Sequence, residues 1–192
     1  MIPAIFLDRD GVIVENRSDY ILSWEDIEIF PQAIHALSRP QIARYLIVII
    51  TNQSPIGRGL LSQTVADEIN ERLLVEIRAA GGRVDGLFLC PHSPADHCSC
   101  RKPLPGLILR AADQLSIDLG QSILIGDAVT DLKAGMAAGI KTLALVKTGR
   151  GAEQAKFLYE EAGLSNACVF NDLSEAISLL LENNSTRSPS IT

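Results

Sequence analysis

The stretch Phe6-Leu7-Asp8-Arg9-Asp10-Gly11 decides how the rest of the chain reads. An apolar run beginning at Ala4 ends in two carboxylates two residues apart, and a glycine follows at once. On extended backbone residues i and i+2 point the same way, so a strand that stops here holds two acids side by side at the rim of a sheet. Gly11 allows a sharp turn directly after them. One such carboxylate can attack phosphorus and divide a hard hydrolysis into two easier steps, while its neighbour protonates the leaving oxygen and then deprotonates water. The bland reading is a solvated turn after a strand. Placement at the end of an apolar run favours chemistry.

Working outward, short apolar runs alternate with helical periodicity. Ala4–Leu7, Tyr45–Ile50, Gly86–Leu89, Ile123–Ile125, Thr142–Val146 and Ala167–Phe170 read as strands. Their near-continuous Ile, Leu and Val content is that of strands buried on both faces. Ser62 is a plausible cap for a helix in which Val65, Ile69, Leu73 and Ile77 recur every four residues, ended by Gly81-Gly82. A second helix starts near Pro105 and buries Ile108, Ala111 and Leu115, and a third covers about Asp131–Ala138. Weaker patterns at Gln32–Leu37, Glu153–Ala162 and Leu173–Leu181 complete the count. The alternation predicts right-handed βαβ crossovers and an α/β three-layer sandwich around a central parallel sheet, with no large cap domain. One domain over 1–182 is expected, with a flexible Ser/Asn/Thr-rich tail over 183–192. Two insertions stand out, Val14–Phe30 and the cysteine-rich loop Cys90–Lys102.

The chain has 192 residues, enough for one sizeable core. With 47% hydrophobic and 21% charged residues it reads as globular rather than disordered. A net charge of −6 weighs against a nucleic-acid groove, so a phosphorylated substrate has to be drawn by local cations. No stretch stays apolar for the ~20 residues a membrane span needs. No positively charged segment precedes the first apolar run, so no secretory signal is read, and a cytoplasmic protein is expected. The absence of a long heptad makes a monomer the expectation.

Three further polar segments sit where strands run out, which is where open α/β sheets build their sites. Thr51-Asn52-Gln53-Ser54 offers a hydroxyl, amides and backbone N–H donors for a phosphoryl oxygen. Arg101-Lys102-Pro103 puts cations just ahead of a helix start, where they can offset charge on a nucleophile and a transferring phosphoryl group. Gly126-Asp127-Ala128-Val129-Thr130-Asp131 ends a strand in a hard oxygen ligand suited, with Asp8, to Mg²⁺. Asp131 reads equally as a further ligand or as a helix cap. Isolated, each of these segments is an ordinary polar turn. Their common placement carries the reading.

Cys90-Pro91-His92 and Cys98-Ser99-Cys100 give a C-x-H-x5-C-x-C spacing. In a reducing compartment three thiolates and an imidazole read as a closed structural zinc site rather than a set of disulfides, with His97 a rival to His92. Cys168, in an apolar run, reads as a buried core residue.

The DxDG pair at Asp8–Gly11, Thr51 after the second strand, downstream Lys102 and the GDxxxD of Gly126–Asp131 resemble the haloacid dehalogenase (HAD) superfamily of phosphohydrolases. The resemblance spans about two thirds of the chain and implies a HAD-like Rossmannoid fold. It implies Asp8 as nucleophile, Asp10 as general acid/base and Thr51 with Asn52 at the phosphate. It implies Lys102, with Arg101, as balancing cations, and a Mg²⁺ held by Asp8, Asp127 and the backbone carbonyl of Asp10. With the cysteine loop added, the set is similar to the heptose bisphosphate and histidinol phosphate phosphatases, the former more closely. There the zinc, here on Cys90, His92, Cys98 and Cys100, holds a short loop in place of a cap and sets the Arg-Lys pair against substrate. The same resemblance implicates Asn16 to Asp19 in substrate contact. The chain departs from the family in the shorter interval between its zinc pairs. It also has Pro55 where glycine is usual and Ala128 where lysine is frequent. The implied activity is Mg²⁺-dependent hydrolysis of a small phosphorylated metabolite, D-glycero-D-manno-heptose 1,7-bisphosphate first. Histidinol phosphate or another sugar phosphate is the alternative. A catalytically silent zinc-stabilised binding module is the reading of another class.

Overall fold

A computed structural model describes residues 1–185 of the chain. Continuous apolar runs become strands here because both their faces are covered. The strands are β1 (Ala4–Leu7), β2 (Leu46–Asn52), β3 (Gly86–Cys90), β4 (Ile123–Gly126), β5 (Thr142–Val146) and β6 (Cys168–Phe170). They pair in the order β3-β2-β1-β4-β5-β6, every neighbour parallel. The helices are α1 (Pro31–Leu37), α2 (Ser54–Gly57), α3 (Gln63–Ala79), α4 (Gly106–Leu115), α5 (Val129–Ala137), α6 (Gly151–Gln154) and α7 (Leu173–Ser185).

The two-residue repeat of a strand divides the core. Ile5, Leu7, Ile47, Ile49, Ile123 and Ile125 pack with Ala33, Leu37, Leu73, Ile77 and Ile177 of α1, α3 and α7. Ala4, Phe6, Val48, Ile50 and Leu124 pack with Leu107, Ile108, Leu132 and Ala134 of α4 and α5 on the other face. The result is the expected three-layer sandwich. β1 lies between β2 and β4, where successive strands switch from one side of β1 to the other, and a crevice opens at the carboxyl ends of such a pair.

In α3 the Ser62 hydroxyl accepts the Val65 N–H at 3.2 Å. The buried stripe is Ala66, Ile69, Asn70, Leu73 and Ile77. Val65, expected to begin that stripe, is exposed: a strict spacing of four drifts around a helix of 3.6 residues per turn. α5 begins at Val129, earlier than expected, because the Asp131 carboxylate reaches back to the Ala128 N–H at 3.0 Å.

Other expectations are corrected. Glu153–Ala162 is not one helix but the single turn α6 followed by a 3-10 turn at Leu158–Glu160. Short helices are marginal without a buried face, and among its described side chains this segment sinks Leu158 alone fully. Cys168 is exposed rather than buried. It opens a three-residue edge strand, in which Val169 and Phe170 are the residues packed against the core. α7 runs to Ser185, past the expected boundary at 182, and the rest of the expected tail, 186–192, lies outside the described residues.

Leu73 is fully buried between α3 and the sheet. Leu73→Ala is expected to lower unfolding free energy by about 2–5 kcal/mol, read as an earlier urea midpoint at unchanged slope.

Candidate active site

Asp8 follows β1, and its N–H bonds the Ile125 carbonyl at 3.1 Å, so the β1–β4 pairing continues into the acid. Asp127 follows β4, and Asp131 lies in the first turn of α5. All three are buried, and their carboxylate oxygens lie within 4.8 Å of one another. Lys102 enters from the far side. Its ammonium lies 2.8 Å from Asp8 Oδ1 and 2.8 Å from Asp131 Oδ1, and donates to the Ile50 carbonyl at 3.0 Å. Three protons thus meet three acceptors. The lysine is set by a reciprocal pair: its N–H donates to Asn52 Oδ1 at 3.1 Å, and Asn52 Nδ2 donates to its carbonyl at 3.2 Å.

Burial pushes the Asp8 carboxyl up to about 8; Lys102 opposes this, while Asp131, Asp127 and Asp10 reinforce it. Burial also raises Asp127, as does Asp131, against the pull of Arg150. Lys102 is held above its ordinary value, because Asp131 and Asp8 outweigh the burial that would lower it. A dense set of hard, buried oxygens with this residual penalty on their ionised forms fits a divalent cation such as Mg²⁺.

Gly11 has φ +86°, and a Cβ there would meet Asp127 Oδ2 at 2.2 Å. Gly149 has φ +56°, and its Cβ would stand 2.6 Å from the same oxygen. Two loops therefore close on Asp127 without side chains. In the second loop the Arg150 N–H donates to Asp127 Oδ2 at 2.9 Å, and its half-exposed guanidinium lies 3.3 Å from Oδ1.

Asp10 is held separately. Arg9 Nη2 donates to its two oxygens at 3.0 and 3.2 Å, and Gln53 Nε2 donates to Oδ2 at 2.9 Å. Thr51 Oγ1 lies 3.4 Å from Oδ2.

Above these groups is a cleft of about 480 Å³. Asp8, Asp10, Asn52, Arg101, Lys102 and Asp131 line it, whereas Thr51 and Asp127 are fully buried and do not. The Val14–Phe30 segment supplies Asn16, Arg17, Ser18, Tyr20 and Ile21 to its wall. Asp19 does not line it and lies 3.4 Å from Arg17. That segment is tied by the Phe30 N–H to the Ile13 carbonyl at 2.9 Å. It is tied again by Asp26, which the Leu22 and Ser23 N–H groups hold below the usual carboxylate range. Pro55 sits comfortably in the first turn of α2, and Gly57 brings that turn so close to the cysteine loop that a Cβ would meet Ser93 N at 2.5 Å.

Cys90, His92, Cys98 and Cys100 converge, and His97 lies outside the cluster. The Sγ–Sγ separations are 3.2 to 3.7 Å, and His92 Nδ1 lies 3.5 and 3.3 Å from Cys90 and Cys100. A zinc tetrahedron with ~2.3 Å Zn–S bonds has S···S edges of about 3.8 Å, so the cluster could hold zinc. Burial pushes Cys90 up to about 12. Cys98 goes the other way: burial opposes, but hydrogen bonds from the Arg101 and Cys100 N–H groups prevail and favour its thiolate.

Sequence reasoning missed Arg150, Gln53 as partner of Asp10, and the Arg9–Asn70 contact at 2.7 Å. Two signals were available. Arg150 follows the carboxyl end of β5, and Asn70 is a polar residue inside an apolar helical stripe.

A HAD-hydrolase-like family model matches residues 99–176. The chain is 35% identical to the D-glycero-beta-D-manno-heptose-1,7-bisphosphate 7-phosphatase of Pseudomonas aeruginosa, over 93% of this chain and 97% of that protein. It is 35% identical to the enzyme of that name from Yersinia pestis, over 78% and 82% of the two chains. A crystal structure of D,D-heptose 1,7-bisphosphate phosphatase from B. bronchiseptica, complexed with magnesium and phosphate, superposes with a TM-score of 0.86. It is 31% identical, covering 95% of this chain and 99% of its own.

Because the folded value for Asp8 stands above its ordinary 3.8, the folded protein binds the extra proton between these two values. Metal-free stability is expected to fall as pH rises from about 4 to 8. Mg²⁺ should therefore raise the melting temperature more at pH 8 than at pH 5.5. Equal shifts at both pH values would remove Asp8 from the metal site.

Proposed function

The chain belongs to the D-glycero-beta-D-manno-heptose-1,7-bisphosphate 7-phosphatase family of HAD-like hydrolases, and on that footing we propose how its own residues perform Mg²⁺-dependent phosphate hydrolysis on that sugar bisphosphate. The observation that carries the reading is the buried Asp8–Lys102–Asp131 bridge beside Asp127, beneath a cleft lined by Arg9, Arg17, Arg58, Arg101, Lys102 and Arg150. These six cations share the cleft wall with three acids, Asp8, Asp10 and Asp131, and the local positive excess, with Arg58 and Arg101 outside any ion pair among the described residues, supports a substrate with two phosphates over histidinol phosphate, which carries an ammonium.

Asp8, Asp127 and the Asp10 carbonyl would hold the metal, which when bound supplies charge neutralisation at the transferring phosphoryl group. Asp8 attacks phosphorus, and Lys102 offsets the charge that then crowds its carboxylate. Asp10 gives a proton to the leaving sugar oxygen as the phosphorus–oxygen bond breaks. It then takes a proton from the water that cleaves the aspartyl phosphate, freeing inorganic phosphate and restoring Asp8. Asn52 keeps Lys102 in register, and Arg101, bonded to the His92 carbonyl at 3.2 Å, stands over the cleft from the cysteine loop.

We assign the cysteine loop a structural zinc. Its role is to fix Arg101 and Lys102 before substrate arrives, which lowers the ordering cost of binding. Among the described residues no helix is long and apolar enough to cross a membrane. We place the protein in the cytoplasm as a monomer without nucleic-acid partners.

Asp8→Asn should lose phosphate release by at least about a thousandfold while circular dichroism is unchanged, and retained turnover would falsify the nucleophile assignment. A panel of sugar phosphates and histidinol phosphate ranked by kcat/KM should put the heptose bisphosphate first. Elemental analysis should find about one zinc per chain, and chelation should lower the melting temperature. Zinc-free protein of undiminished stability and activity would remove that metal.

A further inference from the structure

Resting on the phosphatase reading, we propose that Arg9 and Asn70 are positioning residues that aim the Asp10 carboxyl at the leaving oxygen of the substrate. Arg9 is 2% exposed, although it sits between two reacting acids. One end of its guanidinium grips both oxygens of Asp10, at 3.0 and 3.2 Å. The other end donates from Nη1 to Asn70 Oδ1 at 2.7 Å. A guanidinium is planar, so anchoring Nη1 on α3 fixes the plane in which Nη2 meets the carboxyl. Asp10 itself is on the cleft wall and partly exposed, so without this grip one side of it is unrestrained. Gln53 holds the other side.

The pair is costly to bury. Arg9 Nε and Asn70 Nδ2 are buried with no hydrogen-bond partner among the described residues. Asn70 lies among Ala66, Ile69 and Leu73, where an apolar residue would fit. Burying unpaired donors in such a place costs free energy that a purely structural contact would not retain. The geometry delivers one benefit, a fixed Asp10.

The consequence is a dependence on the leaving group. In the first step the Asp8 oxygen–phosphorus bond forms, the phosphorus–oxygen bond to the substrate breaks, and that oxygen takes the Asp10 proton. A sugar alkoxide needs this proton, whereas p-nitrophenolate departs without it. The test measures kcat/KM, which reports this first step, for heptose 1,7-bisphosphate and for p-nitrophenyl phosphate. Asn70→Leu should lose about tenfold or more on the sugar phosphate, through kcat with KM nearly constant, and less than about threefold on the aryl phosphate. Asn70→Asp, which keeps an acceptor facing Nη1, should preserve the wild-type ratio between the two substrates. If Asn70→Leu melts below the assay temperature, the double variant Arg9→Met with Asn70→Leu, which removes both buried polar groups, must show the same selective loss. Equal losses on both substrates, or no loss on either, overturn the proposal. Wild-type protein inert on both would instead overturn the phosphatase reading beneath it.

Discussion

The ammonium of Lys102, held between Asp8 and Asp131 with the Ile50 carbonyl behind it, is the contact around which the carboxyl ends of three strands are gathered. Buried carboxylates in close contact repel one another, and a cation set among them offsets both that repulsion and the cost of burying charge. Removing one partner of such a bridge leaves an uncompensated buried charge, at a cost of about 3–5 kcal/mol. Every proton of the ammonium already has an acceptor, so the wider, planar head of an arginine would not satisfy the same three groups. The elements nearby serve this placement. β2 provides Ile50 and the Asn52 clasp, β1 delivers Asp8, and α5 starts on Asp131, whose other oxygen closes its first turn.

The cysteine loop belongs to the same construction. Cys100 stands two residues before Lys102, and Gly57 lets α2 rest directly on Ser93. The cations Arg58 and Arg101 therefore reach the cleft from two loops that touch, one after β2 and one after β3. Three thiols and one imidazole converge at the base of the cysteine loop, close enough together to hold an ion.

Much of this was legible in the chain. Strands buried on both faces write themselves as unbroken Ile, Leu and Val, and an acid at the end of such a run is hard to mistake. The meeting of Asp8, Lys102 and Asp127 follows once the strands are taken as parallel. Reach was not legible. Nothing local says that Arg150 turns back to Asp127, or that Gln53 rather than its neighbour Asn52 bonds Asp10. The path of Val14–Phe30 is set by Asp26, a few backbone bonds and irregularly spaced apolar anchors such as Ile21 and Phe30, and that mixture has no periodic spelling. Asn70 is the readable exception, a polar residue in a helical stripe whose other members are apolar.

The two bare glycines pressed against Asp127 restrict what can stand beside it. Positions 11 and 149 leave no room for a Cβ beside Asp127, so any other residue there would push that carboxylate or the facing turn aside. The cleft wall contributed by Asn16, Arg17, Ser18, Tyr20 and Ile21 contains no glycine of this kind. Side-chain change near this carboxylate is thereby confined to other positions, and Pro55 and Ala128 both fall outside that pair.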